Sequence, residues 1–420
     1  MRTLGRRDFL TAGALAAGGA LLTSRLAFAR TNTASRSRVV FVILRGALDG
    51  LAVVPPCGDP AYAGLRRELA LGAPGSAGGA LPLNGFFGLH PSLVFLQESY
   101  SARELIVIHA VASPYRERSH FDGQDVLENG TVKPHALQTG WLNRALATLQ
   151  SGSAAPKEMG VALGQNVPLL MRGPAAVTSW SPSRLAALDE DTLERITDLY
   201  AADPLLAKRL ADALDANRIA TASDTMSEDG QPAGMSLQEK MSQQDKTKPA
   251  RYTEIVTAAA GFLRREDGPQ VAVFDTTGWD THANEGNAQG QLAGRLAALD
   301  AGLRTLKQEL GPVWSRTAVV LATEFGRTAA TNGTRGTDHG TATAAFVLGG
   351  AVQGGRVLSD WPGLGSRSLY QGRDLQPTAD LRSVLKGVLS EHMLVSSAAL
   401  ESTVFPESTA AKTWRGLMRG

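Results

Sequence analysis

Short apolar runs, each closed by glycine or by polar residues, recur along the chain. The runs are nearly continuous rather than alternating, which is typical of strands buried on both faces of a parallel sheet. They predict buried parallel strands over residues 39–44, 105–111, 271–274, 318–322 and 343–348.

Between these runs lie segments in which apolar residues recur at steps of three and four, the spacing of one helix face. The clearest segment carries a leucine at every step: Leu292, Leu296, Leu299, Leu303, Leu306 and Leu310. Because this helix lies between two predicted strands, it indicates a βαβ unit. Two further packing helices are predicted over residues 183–217 and 378–393, with Thr378 as the cap of the second.

Residues 218–250 break the pattern because they are rich in Ser, Thr, Gln, Asp and Lys and hold little that is apolar. Such a segment buries too little surface to order itself, so we expect an exposed, mobile loop or lid. Elsewhere, strands alternate with helices. This order predicts an α/β protein with a doubly wound, mostly parallel sheet and helices on both faces, forming a single domain over residues 30–420.

The first 29 residues are of a different kind. Gly5-Arg6-Arg7-Asp8-Phe9-Leu10 precedes a weakly apolar stretch rich in Gly and Ala, which ends at Ala27-Phe28-Ala29. These features predict a twin-arginine signal peptide over residues 1–29, with Arg6 and Arg7 as its recognition residues. The apolar core is shorter than the roughly 20 residues that a membrane span needs. We therefore expect a periplasmic or secreted protein with the twin-arginine translocase as a partner and no transmembrane segment in the mature chain.

Composition argues against several classes of protein. The chain has a net charge of +2, and removing residues 1–29 takes away four arginines and one aspartate, which leaves −1. No lysine and arginine run with interleaved aromatic residues follows, so a nucleic-acid or anionic-membrane surface has no support. Cys57 is the only cysteine, which excludes an internal disulfide and a cysteine-based zinc cluster. The motifs of serine esterases, phosphate-loop NTPases and dinucleotide-binding enzymes are absent from the sequence.

Candidate chemistry lies next to the predicted strands, since ligands of open parallel sheets bind beyond the carboxyl ends of the strands. Carboxylates and imidazoles accumulate there, and divalent cations suit that mixture of donors. Asp280 and His282 are two residues apart, so in an extended segment both side chains point to one side and are placed to share an ion. Asp338 and His339 are adjacent and point apart, which predicts one ligand and one residue that orients it.

Each of these residues also has an ordinary structural interpretation. Asp49-Gly50 is a common turn pair, and Glu324 has the position of a helix cap or of a partner for Arg327. Ser119-His120-Phe121-Asp122 has the form of a helix start with Ser119 as its cap. Other histidines lie apart from the set and are assigned to packing or to the surface: His90, His109, His135 and His392.

Taken together, the leader and the motifs near the strand ends resemble the exported domain of unknown function 1501 family. The motifs are Asp49-Gly50, Arg118-Ser119-His120-Phe121-Asp122, Gly278-Trp279-Asp280-Thr281-His282, Thr323-Glu324-Phe325-Gly326-Arg327 and Asp338-His339-Gly340. That family looks like a branch of the alkaline phosphatase and sulfatase superfamily. The resemblance implies a doubly wound α/β fold with a dinuclear metal site.

The resemblance also implies roles for single residues. Asp49 matches the metal aspartate after the first strand, Asp280 with His282 matches the aspartate and histidine of one metal, and His339 matches the late histidine of that metal. Glu324 stands where the superfamily has another aspartate ligand. The next residue, Phe325, replaces a histidine and offers no ligand atom, so one or two ions are expected per chain.

The remaining candidate residues surround this ligand set. Ser119 falls in the region of the nucleophile, and Arg118 or Arg327 has the charge and shape to clamp an anion through two hydrogen bonds. Asp338, His120 and Asp122 are assigned as residues that support the ligands.

These expectations lead to two hypotheses. The first is an exported hydrolase of a phosphate, sulfate or related ester that depends on Zn²⁺, Mn²⁺, Mg²⁺ or Ca²⁺ and acts on a small anionic ester or a surface polymer. The second is a non-catalytic periplasmic binding or assembly protein that keeps the fold with an incomplete metal site, which Phe325 favours. Metal stoichiometry distinguishes the two.

Overall fold

The computed structural model describes residues 37–150, 158–182, 190–201, 203–221 and 252–419. The predicted signal peptide with Arg6 and Arg7 lies outside these ranges, and so do residues 222–250 of the predicted loop. The strands are β1 (Arg38–Arg45), β2 (Leu81–Pro82), β3 (Gly88–Leu89), β4 (Leu105–Ala112), β5 (Gly160–Leu163), β6 (Val177–Trp180), β7 (Val271–Thr277), β8 (Thr317–Ala322), β9 (Thr343–Leu348), β10 (Arg356–Leu358) and β11 (Ala379–Asp380).

The helices alternate with these strands along most of the chain. They are α1 (Gly50–Val53), α2 (Tyr62–Arg66), α3 (Val94–Ser101), α4 (His120–Asn129), α5 (Trp141–Leu149), α6 (Glu190–Ala201), α7 (Pro204–Thr221), α8 (252–264), α9 (Gln291–Leu310), α10 (Leu381–His392) and α11 (Ser397–Ala399). Short 3-10 turns lie at Arg67–Leu69, Leu169–Met171 and Gly311–Arg316, and a π-helical turn lies at Leu400–Val404.

The main sheet has the strand order β10-β4-β9-β8-β1-β7-β5-β6, and β11 also pairs with β4. All pairings except those of β9 are parallel, which confirms the predicted mostly parallel sheet. The prediction of a parallel strand over residues 343–348 was wrong. β9 runs antiparallel to both of its neighbours, β4 and β8, so it begins at the edge of the sheet where those two strands end.

Apolar side chains cover both faces of the sheet. Along β1, Val40, Val42 and Leu44 face one core, whereas the alternate residues Val39, Phe41 and Ile43 face the other. The first core contains the leucines of α9, and the second contains apolar residues of α5 and α10. Because successive side chains of a strand point to opposite faces, a continuous apolar run places apolar side chains on both. The doubly wound arrangement with helices on both faces is thereby confirmed.

The two predicted helices with the strongest patterns are present, with one correction at a cap. All six leucines of α9 are buried, with at most 3% of their surface exposed. The helix connects β7 to β8, and β1 lies between these two strands. At α10, the cap is Asp380 rather than Thr378, because the Asp380 carboxylate accepts a hydrogen bond from the backbone N–H of Arg382.

The predicted packing segment over residues 183–217 contains α6 and α7, and residues 183–189 and 202 lie outside the described ranges. Residues 218–221 of the predicted loop are the last residues of α7. Ala220 is buried there against the first core. Among the described residues, no helix is long and apolar enough to cross a membrane.

Candidate metal centre

Five chain segments meet at the carboxyl edge of the sheet. They follow β1, β4, β7 and β8 and precede the antiparallel strand β9. Gly46, after β1, has a φ of +120°, and a Cβ atom there would lie 2.8 Å from the backbone N of Asp280. A larger residue at position 46 would therefore push the segment after β7 away from this edge.

Three imidazoles at this edge are held in the same way by their Nδ1 atoms. Nδ1 of His120 lies 2.8 Å from Oε1 of Glu324, Nδ1 of His282 lies 3.3 Å from Oδ1 of Asp338, and Nδ1 of His339 lies 3.1 Å from the carbonyl oxygen of Arg118. Carbonyl and ionised carboxylate oxygens only accept hydrogen bonds, so these contacts are complete when each Nδ1 carries a proton. A neutral ring of that form has an unprotonated Nε2, the atom that a metal ion would bind.

The three Nε2 atoms converge on one carboxylate, that of Asp280. Oδ1 of Asp280 lies 3.1 Å from Nε2 of His339 and 3.1 Å from Nε2 of His282, and Oδ2 lies 3.4 Å from Nε2 of His120. The Nε2 atoms of His282 and His339 are 3.0 Å apart. Nε2 of His120 is buried and has no hydrogen-bond partner among the described residues. His120, Asp280 and His339 offer donor atoms that all lie within 4.8 Å of one another.

This geometry fits a metal ion. Two unprotonated ring nitrogens 3.0 Å apart repel each other unless a cation or a proton lies between them. An orphaned, buried Nε2 is also costly unless it has a ligand role. Asp280 and His282 keep 39% and 45% of their side-chain surface exposed, so the centre is open to solvent on one side.

Arg327 holds the Asp280 carboxylate in place. Its side chain is fully buried, Nη1 lies 2.5 Å from Oδ1 of Asp280, and Nε and Nη2 donate to the hydroxyl and the carbonyl of Thr337. Partial burial tends to raise the pKa of Asp280, but the hydrogen bond and charge of Arg327 outweigh it and the pKa is lowered. Arg327 therefore orients a ligand and has no free donor pair with which to clamp a substrate, contrary to the role expected from sequence.

Glu324 supports His120. Oε1 of Glu324 accepts hydrogen bonds from the backbone N of Gly46, from Nδ1 of His120 and from Nε2 of Gln124, and Oε2 accepts one from Thr323. Burial opposes ionisation, yet these hydrogen bonds, that of His120 first, keep the pKa of Glu324 lowered. The same hydrogen bond is the main reason why the pKa of His120 is raised. The Glu324 carboxylate thus contacts Nδ1 of His120, while Nε2 of the same imidazole faces Asp280.

The pKa of His339 is shifted in the other direction. Burial is the main cause of its lowering, followed by the nearby charge of His120. A lowered pKa favours the neutral ring, the form in which histidine binds metals. Asp338 accepts hydrogen bonds from Nδ1 of His282 and from Nδ2 of Asn332.

Phe325 fills the space beside this group. Its ring is 2% exposed and stacks on His120 with the ring centroids 5.0 Å apart, and it contacts His339 at 5.2 Å. A Cβ atom added to Gly123 of α4 would lie 3.0 Å from this ring. The aromatic side chain therefore packs where the resemblance implied a ligand of a second metal.

Asp49 belongs to a separate group of buried charged side chains. Oδ2 of Asp49 lies 2.5 Å from Nη2 of Arg66, and Oδ1 caps α1 through the backbone N–H groups of Leu51 and Ala52. The side chains of both Asp49 and Arg66 are buried. Burial tends to raise the pKa of Asp49, but the charge of Arg66 and the hydrogen bonds to the carboxylate together outweigh it, so the pKa is lowered. The carboxylate expected to bind metal is thus engaged with an arginine and a helix cap.

Glu285 completes this buried group. Neither Glu285 nor Arg66 was predicted from the sequence. Oε1 of Glu285 lies 3.5 Å from Nη2 of Arg66, and Oε2 accepts hydrogen bonds from the hydroxyls of Thr281 and Thr337 at 2.9 Å each. Thr281 lies between Asp280 and His282 in the chain, and Thr337 directly precedes Asp338. Through these two hydrogen bonds, Glu285 links the segment after β7 to the segment before β9.

Glu285 makes the stability of the fold depend on pH. Burial, followed by repulsion from Asp49, raises its pKa from 4.5 to about 8. A carboxyl group with a raised pKa stabilises the folded state fully below pH 4.5, and this contribution is lost as the pH rises through about 8. We expect Glu285→Gln, which mimics the protonated acid, to gain stability relative to wild type between pH 5 and pH 8.5. Urea unfolding at both pH values tests this, with exposed Glu68→Gln as control; an equal difference at both would contradict it.

The predicted catalytic residues Ser119 and Arg118 lie next to the centre. Ser119 is at the N-cap position of α4, but its hydroxyl does not cap the helix. Nη2 of Arg118 lies 2.8 Å from Oδ2 of Asp374, so the Arg118 guanidinium forms an ion pair within the protein. Asp122 contacts Tyr115 and the exposed His135 instead of the ligand group.

Comparison with solved structures finds several of low similarity. A protein in the alkaline phosphatase superfamily from Vibrio parahaemolyticus is 11% identical with a TM-score of 0.33, over 84% of this chain and 66% of that one. The zinc complex of the C-terminal periplasmic domain of EcEptC from Escherichia coli is 11% identical with a TM-score of 0.32, over 89% and 87%. Phosphonate monoester hydrolase of Agrobacterium radiobacter is 11% identical with a TM-score of 0.32, over 84% and 73%.

No curated protein matches the chain in sequence. The chain spans 66% of the length of the first structural relative. The family described as "Protein of unknown function (DUF1501)" matches residues 107–404. This range contains every motif on which the resemblance rests after the leader, apart from Asp49-Gly50. Because the match covers most of the 420 residues, the chain belongs to the DUF1501 family.

Proposed function

We propose that this chain is an exported hydrolase of a phosphate, sulfate or related ester that uses one divalent metal ion held by His120, Asp280, His282 and His339. The observation that carries the proposal is the convergence of three Nε2 atoms on the Asp280 carboxylate, with each Nδ1 bound to an acceptor. This is the arrangement in which histidine binds metals.

The donor set favours one kind of ion. Three imidazole nitrogens and one carboxylate oxygen suit Zn²⁺ and neighbouring transition metals, whereas Mg²⁺ and Ca²⁺ prefer sites made of oxygen alone. We therefore propose Zn²⁺ or a related ion. One ion is proposed rather than two because Phe325 packs beside His120 and all the described contacts of Glu324 are with donors of the protein.

A bound divalent ion would lower the pKa of a hydroxyl or water and stabilise charge on the departing oxygen. Residues of the chain hold the proposed ligands in position and leave one side of the centre open to the ester. Arg327 fixes Asp280, Glu324 and Asp338 orient His120 and His282, and the exposed side of the centre admits the ester. Ser119 is the candidate nucleophile, because its hydroxyl is next to His120 in the chain and is not used to cap α4.

The place of action is part of the proposal. A twin-arginine leader carries folded proteins across the bacterial inner membrane, so we propose that the chain acquires its metal in the cytoplasm and acts in the periplasm or outside the cell, with the translocase as its partner during export. A small anionic ester or a surface polymer is the proposed substrate, since the mature chain has a net charge near zero and no basic run for nucleic acid.

Hydrolysis of model esters by the exported chain tests the function. We expect zinc-dependent release of p-nitrophenol from p-nitrophenyl phosphate, bis(p-nitrophenyl) phosphate or p-nitrophenyl sulfate. Ser119→Ala should lower kcat about 100-fold or more if this hydroxyl is the nucleophile. The exposed Ser101→Ala is the matched control and should leave kcat unchanged. One bound ion with no hydrolysis of any of the three esters would instead favour the non-catalytic binding protein.

A further inference from the structure

Asp374 is a fully buried carboxylate that holds two arginines. Its Oδ2 accepts from Nε of Arg118 at 2.9 Å and from the hydroxyl of Thr341 at 2.7 Å, and its Oδ1 accepts from Nε of Arg373 at 2.8 Å. The Asp374 side chain has no exposed surface, whereas those of Arg118 and Arg373 are 20% and 46% exposed. A buried carboxylate with two cationic partners is strongly fixed in position.

Both arginines contact His339, from opposite sides of the residue. The carbonyl oxygen of Arg118 accepts the hydrogen bond from Nδ1 of His339, and Nη2 of Arg373 donates to the His339 carbonyl oxygen at 2.5 Å. The contacts of Asp374 thus lead to the ring of His339 through one arginine and to its backbone through the other. Asp374 itself does not touch the ligand group in the part of the chain that the structure describes.

The backbone of Arg118 shows why a side-chain anchor is needed. Arg118 has a φ of +62°, in the left-handed region that a residue with a Cβ atom adopts at a cost of about 1 kcal/mol. In this conformation its carbonyl oxygen faces the His339 ring. The ion pair with Asp374 fixes the guanidinium end of the same residue, so it favours the strained conformation over relaxed alternatives.

We propose that Asp374 is a positioning residue of the metal centre. By fixing Arg118 and Arg373, it holds the His339 ring with Nδ1 at the Arg118 carbonyl oxygen and with Nε2 toward Asp280. The inference rests on the proposed function only for its effect on metal binding. The tautomer of His339 is a property of the chain without metal and is measurable there.

The tautomer is the first readout. In the metal-free protein, the ¹⁵N chemical shifts of the His339 imidazole report which nitrogen carries the proton. We expect a single tautomer in wild type and a mixture of both forms in Asp374→Asn, because the amide leaves Arg118 without its anion. Thr341→Val is the matched control. It removes one donor to Asp374 but leaves both arginine contacts, so it should keep the wild-type tautomer.

Zinc affinity is the second readout. Loss of an outer hydrogen-bond partner of a metal-binding histidine typically weakens metal affinity about 10–100-fold. We expect a loss of this size in Asp374→Asn and little change in Thr341→Val. Arg118→Met removes the arginine of the ion pair with Asp374 and should give a similar loss of zinc affinity. The double variant should be no weaker than Asp374→Asn alone, since that change already breaks the link through Arg118 that Arg118→Met removes.

The outcomes separate the two proposals. An unchanged tautomer of His339 in both Asp374→Asn and Arg118→Met would overturn the positioning role, as would fully additive losses in the double variant. If Asp374→Asn does not fold, Arg118→Met alone decides the matter, because its side chain is partly exposed. A tautomer change in the variants without zinc binding by wild type would support the positioning role and refute the proposed function.

Discussion

Changing His339 to Ala is expected to weaken zinc binding more than about 100-fold, a larger loss than removal of an outer partner causes. Nε2 of His339 lies 3.1 Å from Oδ1 of Asp280 and 3.0 Å from Nε2 of His282, so the change removes one of the four proposed ligands. An ion that binds only the folded state stabilises it in proportion to the logarithm of its concentration over Kd. A 100-fold weaker affinity therefore removes about 2.7 kcal/mol of zinc-dependent stabilisation at saturation.

Competition with a chelating dye measures the affinity, and Tm with and without chelator measures the linked stability. His135→Ala is the matched control, because His135 is 67% exposed and contacts Asp122 and Asp125 rather than the centre. It should bind zinc as wild type does. Equal zinc affinities of the two variants would contradict the proposed metal site. A wild-type Tm that chelator leaves unchanged would contradict it as well.

Changing Arg66 to Met is expected to destabilise the fold by about 3–5 kcal/mol, the usual cost of removing one partner of a buried ion pair. Arg66 lies 2.5 Å from Asp49 and 3.5 Å from Glu285, and all three side chains are buried. Without the guanidinium, two carboxyl groups would face each other with no cation between them. Urea unfolding at pH 7 measures the loss.

The neighbouring Arg67→Met serves as the control for the loss of an arginine, since Arg67 is exposed. It should change the free energy of unfolding by about 0.5 kcal/mol or less. A second variant, Asp49→Ala, separates the structural role from a ligand role. It should lower stability while one zinc ion per chain still binds under conditions in which the variant is folded. Loss of the ion from folded Asp49→Ala would return Asp49 to the ligand set.

Residue type and spacing in the sequence point to most of the residues that form the centre. Asp280, His282 and His339 were expected as ligands, and the structure brings them together. His120 was expected to support a ligand and Glu324 to be one, whereas the imidazole faces Asp280 and the carboxylate lies behind it. Residue type and spacing show which segment reaches the edge of the sheet. They do not show which of two neighbouring side chains is in front, because that depends on packing between segments distant in sequence.

The sequence by itself determined where five of the buried strands lie and which faces of α9 and α10 point inward, because both follow from local periodicity and from the burial of apolar side chains. It did not indicate the buried strand β5. It did not determine the direction of β9, which depends on pairing with β4 and β8. That direction places Asp338 and His339 at the edge where the parallel strands end. The pairing of Asp49 with Arg66, and of Arg118 with Asp374, likewise joins segments that only the folded chain brings within reach. Tertiary structure decided these contacts because a charged group, once buried, must find a partner among whatever the fold places beside it.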